Sequence, residues 1–307
     1  MKKDNRNMFR GIIVPMLTPF HVHGGIDEKK SADFIKFLLK NKTIPFVLGT
    51  SGEVYSIPVD ERNKLIKTLI ENRQPGVPLI TGMGGLTFDE TILLGNQYFD
   101  WGLDAVVLTL PGYFELTDDQ AYRYFLELSR QLKGDIILYN IPVAVHNSIS
   151  ISVIEKLSRL ENIIGIKDSE FDEKRMNESL NLWADRDDFV YLAGVMEFMN
   201  DGLKAGAAGL VPSTANLVPG MYSKMFSFHL QGKYEEVGKL DEIANEILTI
   251  YKNGHTLGES ITTLKFLASL EGLCNMKVLP PLTELSESDK TKAREKWEKM
   301  KTNYILR

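Results

Sequence analysis

The sequence predicts a (β/α)8 TIM barrel carrying a C-terminal appendage of three helices, and three observations lead there. Eight short apolar runs recur through the first two-thirds of the chain, at 11–17, 45–49, 79–83, 105–110, 135–140, 162–167, 189–194 and 209–211. Eight amphipathic stretches of helical length alternate with them, at 27–41, 59–72, 87–101, 117–132, 150–160, 172–184, 197–205 and 218–230. A doubly wound open sheet shows the same alternation, but the count of eight and the lack of a Gly-rich dinucleotide turn after the first run favour the barrel.

Each element has its own warrant. The runs are apolar without alternation, which reads as strands buried on both faces. In the first helical stretch Phe34, Ile35, Leu38 and Leu39 form one apolar face. The second repeats the pattern with Leu65, Ile66, Leu69 and Ile70, and opens with Asp60 and Glu61, where a helix N-terminus favours negative charge. Beyond residue 231 there is no strand signal. Three helical stretches remain, at 234–251, 257–273 and 286–304, the last two separated by Val278-Leu-Pro-Pro-Leu282, which cannot continue a helix. Ser286-Glu-Ser-Asp289 reads as the cap of the third. The expected organisation is a barrel over 1–231 and a helical region over 232–307.

Composition excludes several classes. Apolar residues at 43% and charged residues at 25% match a globular protein rather than a disordered or fibrous one. A net charge of −5 offers no basic field for nucleic acid. The single cysteine, Cys274, precludes an internal disulfide and reads as packing in a reducing compartment. No run reaches the ~18 apolar residues of a membrane span, and the stretch behind the basic N-terminus is broken by Pro15 and Pro19. The expectation is a cytoplasmic protein with no membrane or nucleic-acid partner. Of five histidines only His21 and His23 are close, beside Gly24 and Gly25, which reads as a turn; no metal site is expected.

A barrel of this kind builds its site at the carboxyl ends of its strands. Lys167 closes the run Asn162-Ile-Ile-Gly-Ile-Lys167. In a confined, partly dry site the neutral amine is favoured, the form that attacks a carbonyl; a rim lysine, or one paired with Asp168, is the alternative. Tyr139 ends the preceding run, so the two should be neighbours, a phenol able to move protons beside an amine; an aromatic lid is the alternative. Gly49-Thr-Ser-Gly-Glu53 follows the second run. Its amides and hydroxyls could cradle a carboxylate, or its glycines could simply supply positive φ. Thr81-Gly-Met-Gly-Gly85 reads as a tight strand exit.

Four motifs in register, Gly49-Thr-Ser-Gly-Glu53, Tyr139-Asn-Ile-Pro142, Gly165-Ile-Lys167 and Gly206-Ala-Ala-Gly209 with Ser213-Thr-Ala-Asn216, resemble the dihydrodipicolinate synthase / N-acetylneuraminate lyase family along essentially the whole chain. The resemblance implies a class I aldolase that holds pyruvate, or another 2-keto acid, as an imine on Lys167, with no other cofactor. It implies Tyr139 as the proton-transfer phenol, Thr50 as a relay hydroxyl, and Ser51 as the group holding the carboxylate. Val211 matches the position whose backbone carbonyl faces pyruvate. Tyr113 matches the tyrosine that reaches a neighbouring subunit's site, implying a homo-oligomer, a tetramer or dimer.

Two departures bear on substrate. The synthases carry an arginine two residues after the motif proline, where this chain has Ala144. Gly194-Val-Met-Glu197 resembles the sialic acid lyase pattern Gly-x-Asp-Glu with Met196 in place of the aspartate. Glu197 and Ser213 match positions that bond sugar hydroxyls there, and Ser169 a nearby hydroxyl position. The leading expectation is a lyase cleaving a 2-keto-3-deoxy acid to pyruvate and an aldehyde. The alternatives are a 4-hydroxy-tetrahydrodipicolinate synthase-type condensation and, from another class, a non-catalytic 2-keto acid sensor.

Overall fold

In the computed structural model, which describes residues 5–304, eight parallel strands close a barrel in sequence order. They are β1 (Gly11–Pro15), β2 (Ile44–Val47), β3 (Ile80–Gly82), β4 (Ala105–Thr109), β5 (Asp135–Asn140), β6 (Ile163–Asp168), β7 (Val190–Ala193) and β8 (Gly209–Leu210). The helices are α1 (Asn5–Met8), α2 (Glu28–Lys40), α3 (Val59–Glu71), α4 (Phe88–Asp100), α5 (Asp118–Gln131), α6 (Pro142–Val145), α7 (Ile151–Leu157), α8 (Glu173–Trp183), α9 (Met199–Lys204), α10 (Pro219–Leu230), α11 (Tyr234–Tyr251), α12 (Leu257–Leu270) and α13 (Glu287–Tyr304). The TIM barrel and the helices beyond residue 231 are as the sequence predicts. No described helix is long and apolar enough to cross a membrane.

The described residues divide into two compact units, one of residues 5–13 and 74–211, the other of 14–73 and 212–304. In the first, every residue of β5 and β6 is buried, as expected for strands covered on both faces. Its helices α4 and α5 begin in capping boxes, Thr87 with Glu90 and Thr117 with Gln120, satisfying orphan N–H groups from both directions. In the second, α12 is buried nearly all round and opens in a capping box of Thr256 with Glu259. Ser286 Oγ accepts from Asp289 N, the expected cap of α13.

Departures from the sequence reading have local causes. The stretch expected as one helix over 197–205 is a 3-10 turn, Met196–Phe198, followed by α9, because Phe198 leaves helical ψ. The stretch over 257–273 ends at Leu270, where Gly272 takes φ 73 and stops it. Helices α1 and α6 are additional. His21 and His23 lie in the expected turn, closed by His21 N donating to Gly25 O at 3.0 Å, with the two rings stacked.

Candidate active site

The carboxyl ends of β5 and β6 bring Tyr139 and Lys167 together. The two residues are register partners, as are Asn140 and Asp168 one step on. Successive strand residues point to opposite faces. Asp168 meets Arg175 of the covering helix α8, so it points outward and Lys167 points into the barrel. Lys167 Nζ lies 3.9 Å from the centroid of the Tyr139 ring, and each residue is only 5% exposed. A lysine cation at this distance is attracted by the ring face.

Behind this pair lies a buried polar group built on Asn140 and Asp168. Asn140 Nδ2 donates to Asp168 Oδ1 at 2.9 Å and to Glu170 Oε2 at 2.8 Å, and Asn140 Oδ1 accepts from Ile149 N at 2.9 Å. Arg175 Nε donates to Asp168 Oδ2 at 2.7 Å. Asp168, the alternative partner for Lys167 on sequence grounds, instead has its carboxylate gripped by Asn140 and Arg175. Burial pushes the Asp168 carboxyl above the usual carboxylate range, and Arg175 pulls against that shift. Burial, with Asp168 nearby, also raises the Tyr191 phenol.

Ser169 follows β6, its N–H donating to Asn140 O at 2.9 Å. Its hydroxyl lies so close to Gly194 that a Cβ there would come within 2.2 Å of Oγ, so the glycine serves close approach. Glu197 lies in the 3-10 turn after β7, and Val211 directly follows β8, its N–H donating to Ala193 O at 2.8 Å. Tyr113, between β4 and α5, is 90% exposed and packs edge-on against Phe114.

In the other unit, Thr50 and Ser51 are half-buried in the turn after β2. The positive φ values fall on Leu48 and Glu53, not on Gly49 or Gly52. The glycines therefore serve space: a Cβ on Gly52 would meet Met16 O at 3.0 Å and Leu48 N at 3.2 Å. Thr18 Oγ1 donates to Gly52 O at 2.7 Å. Glu53, at φ 59, is held there by its carboxylate, which accepts from Lys265 Nζ at 2.6 Å and from Leu279 N at 2.9 Å. Both side chains of this pair are fully buried, and burial pushes the Lys265 ammonium below the ordinary lysine range. A lysine amid the buried face of α12 was a legible signal, since a buried charge needs a partner. Ser213 Oγ lies 2.8 Å from Tyr251 OH of α11, which also meets Thr214 Oγ1 at 2.7 Å. Burial raises the Cys274 thiol to about 12, an inert packing group.

A family model described as the dihydrodipicolinate synthetase family matches residues 8–300. The 4-hydroxy-tetrahydrodipicolinate synthase of Alkalilimnicola ehrlichii is 30% identical over 281 residues, covering 91% of this chain and 94% of that protein. The dihydrodipicolinate synthase structure from Bacteroides thetaiotaomicron superposes with a TM-score of 0.88 at 26% identity, over 95% of this chain and 98% of that one. The sialic acid aldolase of Ruminococcus gnavus shares the fold, with a TM-score of 0.88 at 21% identity over 98% and 100% of the two chains. The chain belongs to the dihydrodipicolinate synthetase family and is an enzyme of its carbon–carbon lyase type.

Proposed function

We propose that the chain is a lysine-dependent aldolase that reversibly cleaves a 2-keto-3-deoxy acid into pyruvate and an aldehyde. The observation that carries this reading is the buried Lys167 amine set 3.9 Å from the Tyr139 ring at the ends of paired strands. The amine adds to the ketone carbon, and loss of water leaves an imine on Lys167. With the imine protonated, the C3–C4 bonding pair moves toward nitrogen as that bond breaks. The Tyr139 phenol, having given its proton to the hydroxyl that left as water, takes the C4 hydroxyl proton on its phenolate oxygen, and the aldehyde departs. The enamine then takes a proton at C3, and water releases pyruvate and restores the amine. The imine is its own electron sink, so the reading calls for no further cofactor.

The remaining roles rest on the motif resemblance. Ser51 and the turn amides take the substrate carboxylate, Thr50 relays the Tyr139 proton, and the Val211 carbonyl faces the pyruvyl group. Ser169, Glu197 and Ser213 meet the hydroxyls of the departing half. The exposed Tyr113 supports a homo-oligomer in which this ring is given to a second copy. The acidic charge and single cysteine suit a cytoplasmic enzyme.

The lyase reading is preferred because Ala144 stands where a synthase would place the arginine that grips its aldehyde's carboxylate, and a methyl group cannot make a bidentate contact. A second reading, condensation of the 4-hydroxy-tetrahydrodipicolinate synthase type, is favoured by the name of the Alkalilimnicola relative. Pyruvate release from a panel of 2-keto-3-deoxy acids, run beside condensation of pyruvate with aspartate semialdehyde, separates the two. Release without condensation supports the lyase; condensation without release overturns it.

A further inference from the structure

The polar group behind Lys167 and Tyr139 closes into a ring. Asn140 Nδ2 donates to Asp168 Oδ1, Asp168 Oδ2 accepts from Arg175 Nε, Arg175 Nη2 donates to Ile149 O at 2.8 Å, and Ile149 N donates to Asn140 Oδ1. Every member is buried, and the ring draws on β5, β6, α8 and the segment before α7. The pairing of β5 with β6 ends at Asn140 and Asp168, so the ring closes the ladder at its last rung, one residue beyond the two reacting groups. We propose that Asn140, Asp168 and Arg175 are positioning residues that fix the Lys167 amine against the Tyr139 phenol. The inference rests on the aldolase reading above.

Stability alone does not account for such a ring. A buried ion pair loses to desolvation much of what it gains by attraction, and apolar replacements of the same shape are often as stable. What the ring supplies is direction. Strand pairing sets a backbone separation of about 4.8 Å but leaves the terminal residues free to tilt. Asn140 and Asp168 are the immediate chain neighbours of Tyr139 and Lys167, so joining them from behind fixes the tilt of the pair in front. A misplacement of about 1 Å in a reacting pair costs roughly 10²-fold in rate.

The test uses pyruvate as the probe, in the full-length chain, and reads exchange of its methyl protons with deuterated water by NMR. That exchange requires the imine, the enamine and proton transfer, but no aldehyde. Asn140→Ala removes the bridge and leaves Asp168 with Arg175. Arg175→Lys keeps the charge and opens the ring at Ile149. The expected result is borohydride trapping of pyruvate on Lys167 in both variants. Turnover per folded site falls about 10²-fold for Asn140→Ala and less for Arg175→Lys, with KM for pyruvate within a few-fold. A purely structural ring would move the unfolding midpoint and leave turnover per folded site within two-fold of wild type in both variants, which overturns the inference. If Asn140→Ala does not fold, Arg175→Lys decides by the same criterion. A wild-type chain that gives no adduct on Lys167 overturns the aldolase reading and this inference with it; an adduct with undiminished variants overturns this inference alone.

Discussion

The carboxyl end of β6 and the turn after β2 each bury a carboxylate, and each satisfies it differently. Asp168 is served by Asn140, Arg175 and the Glu170 N–H, within a ring that spans neighbouring elements. Glu53 relies on Lys265 and the Leu279 N–H, reached from more than 200 residues away in sequence. Losing the Asn140 bond still leaves Asp168 paired with Arg175. A single buried pair has no such reserve: without its lysine, Glu53 is an uncompensated charge at a strained, left-handed position. The first arrangement suits groups that must keep a fixed mutual orientation, the second a turn that needs only to be pinned.

Activity and stability should respond separately in the two regions. Tyr139→Phe should lower turnover about 10²–10⁴-fold, because the phenol oxygen is lost while the ring over Lys167 remains. Its urea midpoint should stay near wild type; an active Phe variant would remove Tyr139 from proton transfer. Lys265→Met is the opposite case. It should cost about 3–5 kcal/mol in urea unfolding by stranding Glu53, with much of that recovered in Glu53→Gln/Lys265→Met, where no charge is buried. A single variant within about 1 kcal/mol of wild type would show that the pair does not pin the turn.

The smallest effect sharpens the second region. Thr256 caps the helix that carries Lys265, and Thr256→Ala should cost about 1 kcal/mol. The Thr256 backbone N–H, and then its hydroxyl, hold the Glu259 carboxyl below the usual range. A lowered folded value means that the unfolded chain binds the proton more readily. The contribution is therefore present above an ordinary glutamate value of about 4.3 and fades as pH falls through the lowered one. Urea unfolding of wild type and Thr256→Ala at neutral and acid pH should show the gap narrowing with acid.

Much of this is legible in the sequence. Unbroken apolar runs mark the strands, and polar residues closing them mark Lys167 and Tyr139, because burial on both faces leaves few polar positions. The handedness of the Gly49–Glu53 turn is not legible: its glycines suggest positive φ, whereas Leu48 and Glu53 take it and the glycines make room for Met16 and Phe46. The ring escapes a sequence reading because Asn140 and Arg175 find Ile149 and Asp168 through space, with no spacing rule to announce them. Asn140 and Asp168 are nonetheless visible as a second polar pair one step beyond the first. Lys265 is visible as a charge inside an apolar helix, but its partner is not.

The claim that Lys167 forms an imine with a 2-keto acid is tested most directly by borohydride reduction of the protein with pyruvate, followed by mass analysis of its peptides. One reduced pyruvyl adduct per chain is expected, on the peptide containing Lys167, absent without pyruvate and absent in Lys167→Met. No adduct, or an adduct on another lysine, would contradict it.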